Sequence, residues 1–177
     1  MLKQYVLTLL GASVMTLGLF SAISAAQAAD PQLIATHGNW SAYVYSDEAG
    51  NKVCYMASEP DKHEGNYKER GSIFALVTNR PAESTKNVFS YIAGYAYKPG
   101  SDATARIGDQ TFTLFTQEDT AWAPDAATDE KITQAMRKGS TMIVKGTSSR
   151  GTVTTDTYSL SGSGAAHDVI SKECAGK

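Results

Sequence analysis

The chain has 177 residues, 42% of them hydrophobic and 19% charged, which excludes a disordered or collagen-like polymer and fits one cored domain. With 16 Lys+Arg against 18 Asp+Glu its formal charge is −2, so no global field draws it to nucleic acid or an anionic membrane. Two cysteines are too few for a disulfide-dense mini-protein or a four-cysteine zinc site, yet enough for one bridge in an oxidising compartment.

Lys3 is followed by no charge until Asp30, and the intervening stretch is apolar at its centre (Val6, Leu7, Leu9, Leu10, Leu17, Leu19, Phe20). It ends in small residues, with Ala26-Gln27-Ala28 matching the A-x-A pattern that a signal peptidase cleft accepts. Cleavage is expected after Ala28. The run is long enough to span a bilayer, but Gly11, Gly18 and its Ser/Ala-rich end favour a cleaved leader over a retained anchor. Residues 1–28 are therefore expected to be a signal peptide and 29–177 one mature domain without a membrane span. Periplasmic or secreted location follows if the source is bacterial. Removing the leader takes away only Lys3, leaving 15 basic against 18 acidic residues and a mature charge of −3.

After a polar lead from Asp30 to Gly38, Trp40, Ala42 and Val44 alternate with Ser41, Tyr43 and Tyr45, the period of a half-buried strand. Ser46 to Asn51 has turn chemistry, and Val53 to Ala57 reads as the returning strand that carries Cys54. Glu59 to Arg70 is dense in charge and predicts an exposed loop or long hairpin tip. Ile73–Val77 and Val88–Tyr95 are expected to be central strands covered on both faces. Gly108-Asp109-Gln110 predicts a hairpin between Ala105–Ile107 and Thr111–Phe115.

Asp125 can cap a helix whose Ile132, Ala135 and Met136 share one face, with Lys138-Gly139 as its stop. Met142–Lys145 and Val153–Leu160 return to strand across a turn at Gly146–Gly151. Ala166, Val169, Ile170 and Cys174 fall on one stripe of a terminal helix. The fold class is all-β with two short helices, as a single-domain β-sandwich or partly closed antiparallel barrel.

Cys54 and Cys174 could form a bridge joining the first hairpin to the terminal helix; a metal pair, a redox pair and free thiols are the competing readings. No C-x-x-C spacing supports a redox pair. The histidines, His37, His63 and His167, show no ligand spacing, and His167 has an exposed-looking helix position. The reading carried forward is a structural bridge, conditional on export. Ser72, Ser140, Ser148 and Ser149 lack a G-x-S-x-G context, and adjacent Glu118 and Asp119 would both be solvated in a turn. No catalytic, cofactor or metal residue is assigned, and the chain is expected not to be an enzyme.

Gly146–Gly151 with Arg150 could cradle an anion, but no P-loop pattern is present. Lys131, Arg137, Lys138, Lys145 and Arg150 form a mild basic cluster, either a solvated face or a weak patch for an acidic partner. Tyr91, Tyr95 and Tyr97 fall at alternate positions, with Phe89 continuing the row. They are either a candidate binding face or core beneath an opposing sheet, each hydroxyl finding a partner; the core reading accounts better for how the interior is filled.

Phe112-Thr113-Leu114-Phe115, Ala121-Trp122, Lys138–Met142, Lys145–Gly151 and Thr155–Gly162 together resemble the invasion-associated locus B family of secreted bacterial proteins. The similarity also takes in Trp40, Cys54, Arg80-Pro81, Gly94-Tyr95 and Lys98-Pro99-Gly100, and ends at Cys174. It implies an exported β-rich domain and carries no established catalytic residue or cofactor. Family members often have a cysteine a few residues after the Trp, and Trp40–Tyr45 has none. Cys54 and Cys174 therefore remain the only possible pair. The expected function is an exported, non-enzymatic envelope protein, related to host interaction if the family name applies, acting on an unknown protein or envelope component and not on nucleic acid. A small-molecule or lipid carrier and an unrecognised hydrolase are the alternatives: an interior pocket would favour the first, a His beside a Ser or carboxylate in a cleft the second.

Overall fold

The computed structural model describes residues 30–175. The expected leader and its cleavage site lie outside the described residues.

The antiparallel strands are β1 (Gln32–His37), β2 (Trp40–Ser46), β3 (Lys52–Ser58), β4 (Lys62–Gly65), β5 (Phe74–Arg80), β6 (Thr85–Ile92), β7 (Ala103–Ile107), β8 (Gln110–Gln117), β9 (Thr120–Trp122), β10 (Thr141–Thr147) and β11 (Val153–Ser159). The helices are α1 (Ala126–Lys138) and α2 (Ser163–Ala175). Hydrogen bonding runs β1-β2-β3-β5-β6-β9-β8-β7-β10-β11-β4. Strand β8 belongs to both halves: Gln110–Leu114 pairs with β7, while Phe115–Gln117 pairs with β9. This continuous ribbon folds into two facing layers. Trp40 of β2 donates its indole N–H to the Ser159 carbonyl of β11, and Asn39 donates to Asp61 beside β4. The outer strands β1 and β4 are not paired with each other, so the barrel stays open, as a sandwich-like form of the expected all-β fold.

Trp40, Ala42, Cys54, Met56, Ala75, Val77, Phe89 and Tyr91 point to the inner face and are almost fully buried. At the Tyr91 end of the layer this face meets β11, where the Tyr91 and Tyr158 rings stack edge to face. At the Cys54 end the helices fill the gap. Asp125 caps α1 by accepting from Thr128 N–H, and Ile132 and Met136 are fully buried, as the helical period requires. Asp129 on the same helix accepts the Phe89 amide at 2.8 Å, tying α1 to β6. Burial pushes the Asp129 carboxyl up to about 6, against the pull of that amide.

Cys54 and Cys174 are bonded, with Cα atoms 6.0 Å apart, fastening α2 to β3 across a separation of 120 residues. The metal, redox and free-thiol readings of this pair give way to the structural bridge.

Several local expectations change. The lead before Trp40 contains β1, and the charged stretch contains β4, whose backbone pairs with β11 although its four residues are all exposed. Strand β6 ends at Ile92, since Gly94 takes φ +70 and turns the chain. Central strands β5 and β6 are covered on one face only; Phe74, Leu76, Val88 and Ile92 remain partly open on the other. His167 is buried, its Nε2 beside the Asn87 Oδ1 at 2.8 Å and its Nδ1 beside Arg137 at 2.6 Å. Burial first, and the Arg137 charge second, lower its proton affinity.

Candidate functional site

The sequence places a charged segment after β4, and the structure folds it back over the sandwich through one residue. The Arg70 side chain is 4% exposed and faces Asp156 of β11, which is fully buried. Its Nη1 and Nη2 donate to the two Asp156 oxygens at 2.8 and 2.7 Å, its Nη2 also to the Tyr91 hydroxyl at 2.9 Å, and its Nε to the Ala93 carbonyl at 2.6 Å. The Tyr91 hydroxyl in turn donates to Asp156. Burial works against the guanidinium charge, but the Asp156 hydrogen bonds and charge outweigh it and hold Arg70 above its ordinary proton affinity. Burial, reinforced by the Asp156 charge, likewise keeps Tyr91 protonated.

This anchor fixes one wall of an open cleft of about 1180 Å³. The wall is Asn66–Gly71, the floor is the loop Gly94–Ala96, and the opposite wall is the β10–β11 turn from Ser148 to Thr154. The floor is zipped to that turn by Lys98 N–H to Thr147 O, Ser149 N–H to Ala96 O and a bridge between Tyr97 and Ser148. Two glycines permit the arrangement. A Cβ on Gly94 would lie 2.4 Å from the Gly71 carbonyl oxygen, and one on Gly146 would lie 2.7 Å from the Tyr97 ring and 2.8 Å from the Tyr95 hydroxyl.

Tyr67 and Tyr95 line the cleft, with the Arg70 guanidinium 5.5 Å from one ring centroid and 4.9 Å from the other. The Tyr67 hydroxyl is 2.6 Å from His63 Nδ1, and that of Tyr95 is 2.7 Å from Thr154 Oγ1. Lys68 and Arg150 are exposed at the rim and belong to none of the ion pairs among the described residues. Among the described residues, Glu69 is the one carboxylate lining the cleft.

Tyr91, Tyr95 and Tyr97 therefore do not share one strand face. Tyr91 and Tyr97 are buried at 1% and 5% exposure, while Tyr95 looks into the cleft from the loop beyond β6. The hydroxyls of Tyr91 and Tyr95 have partners; that of Tyr97 meets none among the described residues. Burial pushes the Tyr97 hydroxyl upward, with the neighbouring Tyr95 adding to it. The basic cluster is dispersed: Lys131, Arg137 and Lys138 lie on α1, Lys145 on β10, and Arg150 alone at the cleft. Arg137 pairs with Asp168 at 2.7 Å. Ser148 uses its hydroxyl to accept the Thr152 amide within the turn. Among the described residues no three metal-ligating side chains come together. No local signal in the sequence marks Arg70, whose partner Asp156 stands 86 positions away.

The fold and site define a small β-rich domain, stapled by one disulfide, that presents an aromatic and basic cleft. The pattern of the family described as Invasion associated locus B (IalB) protein matches residues 40–171, and the chain belongs to that family. No curated protein and no solved structure matches it. No helix among the described residues is long and apolar enough to cross a membrane, and the disulfide is consistent with an oxidising compartment.

Proposed function

We propose that the chain is an exported, non-enzymatic binding domain that takes an acidic saccharide of the cell envelope in the cleft between Asn66–Gly71 and Ser148–Thr154. The observation that carries this reading is the joint presence of two tyrosine rings and two unpaired cations, Lys68 and Arg150, in one open cleft on a chain of net charge −2. Tyrosine faces match the C–H surface of a sugar ring, and Lys68 and Arg150 match its carboxylate. The leader, which ends in a peptidase-type site, and the bridge of Cys54 with Cys174 support delivery to the periplasm or beyond. Against the carrier reading, the space between the layers is filled by Tyr91, Tyr158, Phe89 and Leu114. Against the hydrolase reading, His63 meets a tyrosine and His167 an asparagine and an arginine. A host-facing role would follow only if the preferred saccharide were a host one.

Calorimetric titration with an oligouronate, and with a neutral oligosaccharide of equal length, tests this. The expected result is binding of the acidic ligand alone, weakened by salt and abolished in Lys68→Glu/Arg150→Glu. Equal binding of both ligands, or no binding of either, would refute it.

A further inference from the structure

The layer formed by β2, β3, β5, β6, β9 and the end of β8 has a second face, turned away from the helices. The register places Tyr43 beside Tyr55 and Thr78 beside Val88 in one cross-strand row. A second row brings Leu76, Ser90, Trp122 and Phe115 side by side. The Tyr43 and Tyr55 rings stack at 5.0 Å, Phe115 is 45% exposed, and Leu33 on neighbouring β1 is 59% exposed. The only charged side chain directed to this face from β2, β3, β5, β6 and β9 is Arg80, at the end of β5. Solvated faces of antiparallel sheets normally alternate to polar residues, and an apolar area of this extent marks an interface.

We infer that this face is where a second copy of the chain packs, sheet against sheet, across a two-fold axis. Charge and size both point to that occupant. Two copies of an acidic chain repel each other, so self-association needs a patch almost free of formal charge, and this is such a patch. Six strands spaced about 4.8 Å apart, each offering roughly three outward residues at 6.8 Å intervals, give a footprint of about 600 Å². Counted on both partners this is about 1,200 Å², the lower end of a specific, stable interface. A two-fold axis is self-complementary by construction, so aromatic rows meet aromatic rows. The cleft lies at the other layer's β10–β11 turn, and the inference is independent of what the cleft binds.

Sedimentation velocity on the full chain, expressed with its own leader and purified without detergent, tests the inference between about 1 and 200 µM. A dimer is expected, converted to monomer by Leu76→Arg and, separately, by Tyr55→Glu. Both side chains are partly exposed, and an unchanged circular dichroism spectrum certifies the fold of each variant. A photo-crosslinking amino acid in place of Phe115 should capture a second copy of the chain. A monomer throughout the range overturns the inference. So does a dimer that persists in both variants, or a monomer that floats with phospholipid vesicles and loses that behaviour in Leu76→Arg.

Discussion

Replacing Arg70 with Met removes a cation whose four hydrogen bonds join the cleft wall to Asp156, Tyr91 and the Ala93 carbonyl. Asp156 is fully buried, so its carboxylate would be left with the Tyr91 hydroxyl as its side-chain partner. Breaking a buried pair by deleting one member costs about 3–5 kcal/mol, because the other charge stays desolvated. At roughly 2–4 °C per kcal/mol for a domain of this size, the melting temperature should fall by about 6–20 °C. Urea denaturation with the disulfide intact measures the loss, and an unchanged slope against denaturant shows that the two states compared are the same. The double variant Arg70→Met/Asp156→Asn removes both charges and keeps an acceptor for Tyr91. It should therefore be more stable than Arg70→Met alone. Trypsin should also cut faster after Lys68 in Arg70→Met, since the wall loses its anchor. A loss under about 1 kcal/mol, or a double variant at least as unstable as the sum of the singles, would refute the reasoning.

Mass spectrometry of a non-reduced digest should recover Cys54 linked to Cys174, and Cys174→Ser should lower the melting temperature, with about 4–5 kcal/mol as the model-dependent ceiling for a loop of 120 residues. Asp129 titrates at about 6 in the fold against an ordinary 3.8, so the folded state holds its proton more tightly than the unfolded chain does. Its contribution is fullest below about pH 4 and is lost as pH rises through about 6; Asp129→Asn should flatten that part of the stability profile and raise stability at pH 7. Gly146→Ala should cost about 1–3 kcal/mol and shift the Tyr95 and Tyr97 ring resonances, because its methyl would enter the space those rings occupy.

The elements legible in the sequence are those whose signals are local. Asp125, the spacing of Ile132 with Met136, and the Gly108-Asp109-Gln110 turn each act within a few residues, and the structure keeps them. Strand β4 carries no apolar side chain: backbone pairing to β11 alone makes it a strand, which composition does not reveal. Arg70 is one charge among many in its segment, and its burial depends on Asp156, brought alongside only by the sandwich. The helical pattern gives His167 an exposed position for the same reason, since Asn87 and Arg137 come from other elements. The continuous apolarity of Ile73–Val77 predicts a strand covered on both faces. Leu76 and Phe74 instead help form the face left open. The cleft itself required the turn at Gly94, which separates Tyr95 from the strand that carries Tyr91.

The central claim is that the cleft between the Arg70-anchored wall and the β10–β11 turn is the binding site. Amide chemical-shift mapping of the isotopically labelled protein, titrated with an oligouronate, tests it most directly. Shifts are expected to concentrate in residues 66–71, 94–96 and 148–154, with the outer face around Tyr55 and Trp122 unmoved. Shifts confined to that outer face, or none at saturating ligand, would contradict it.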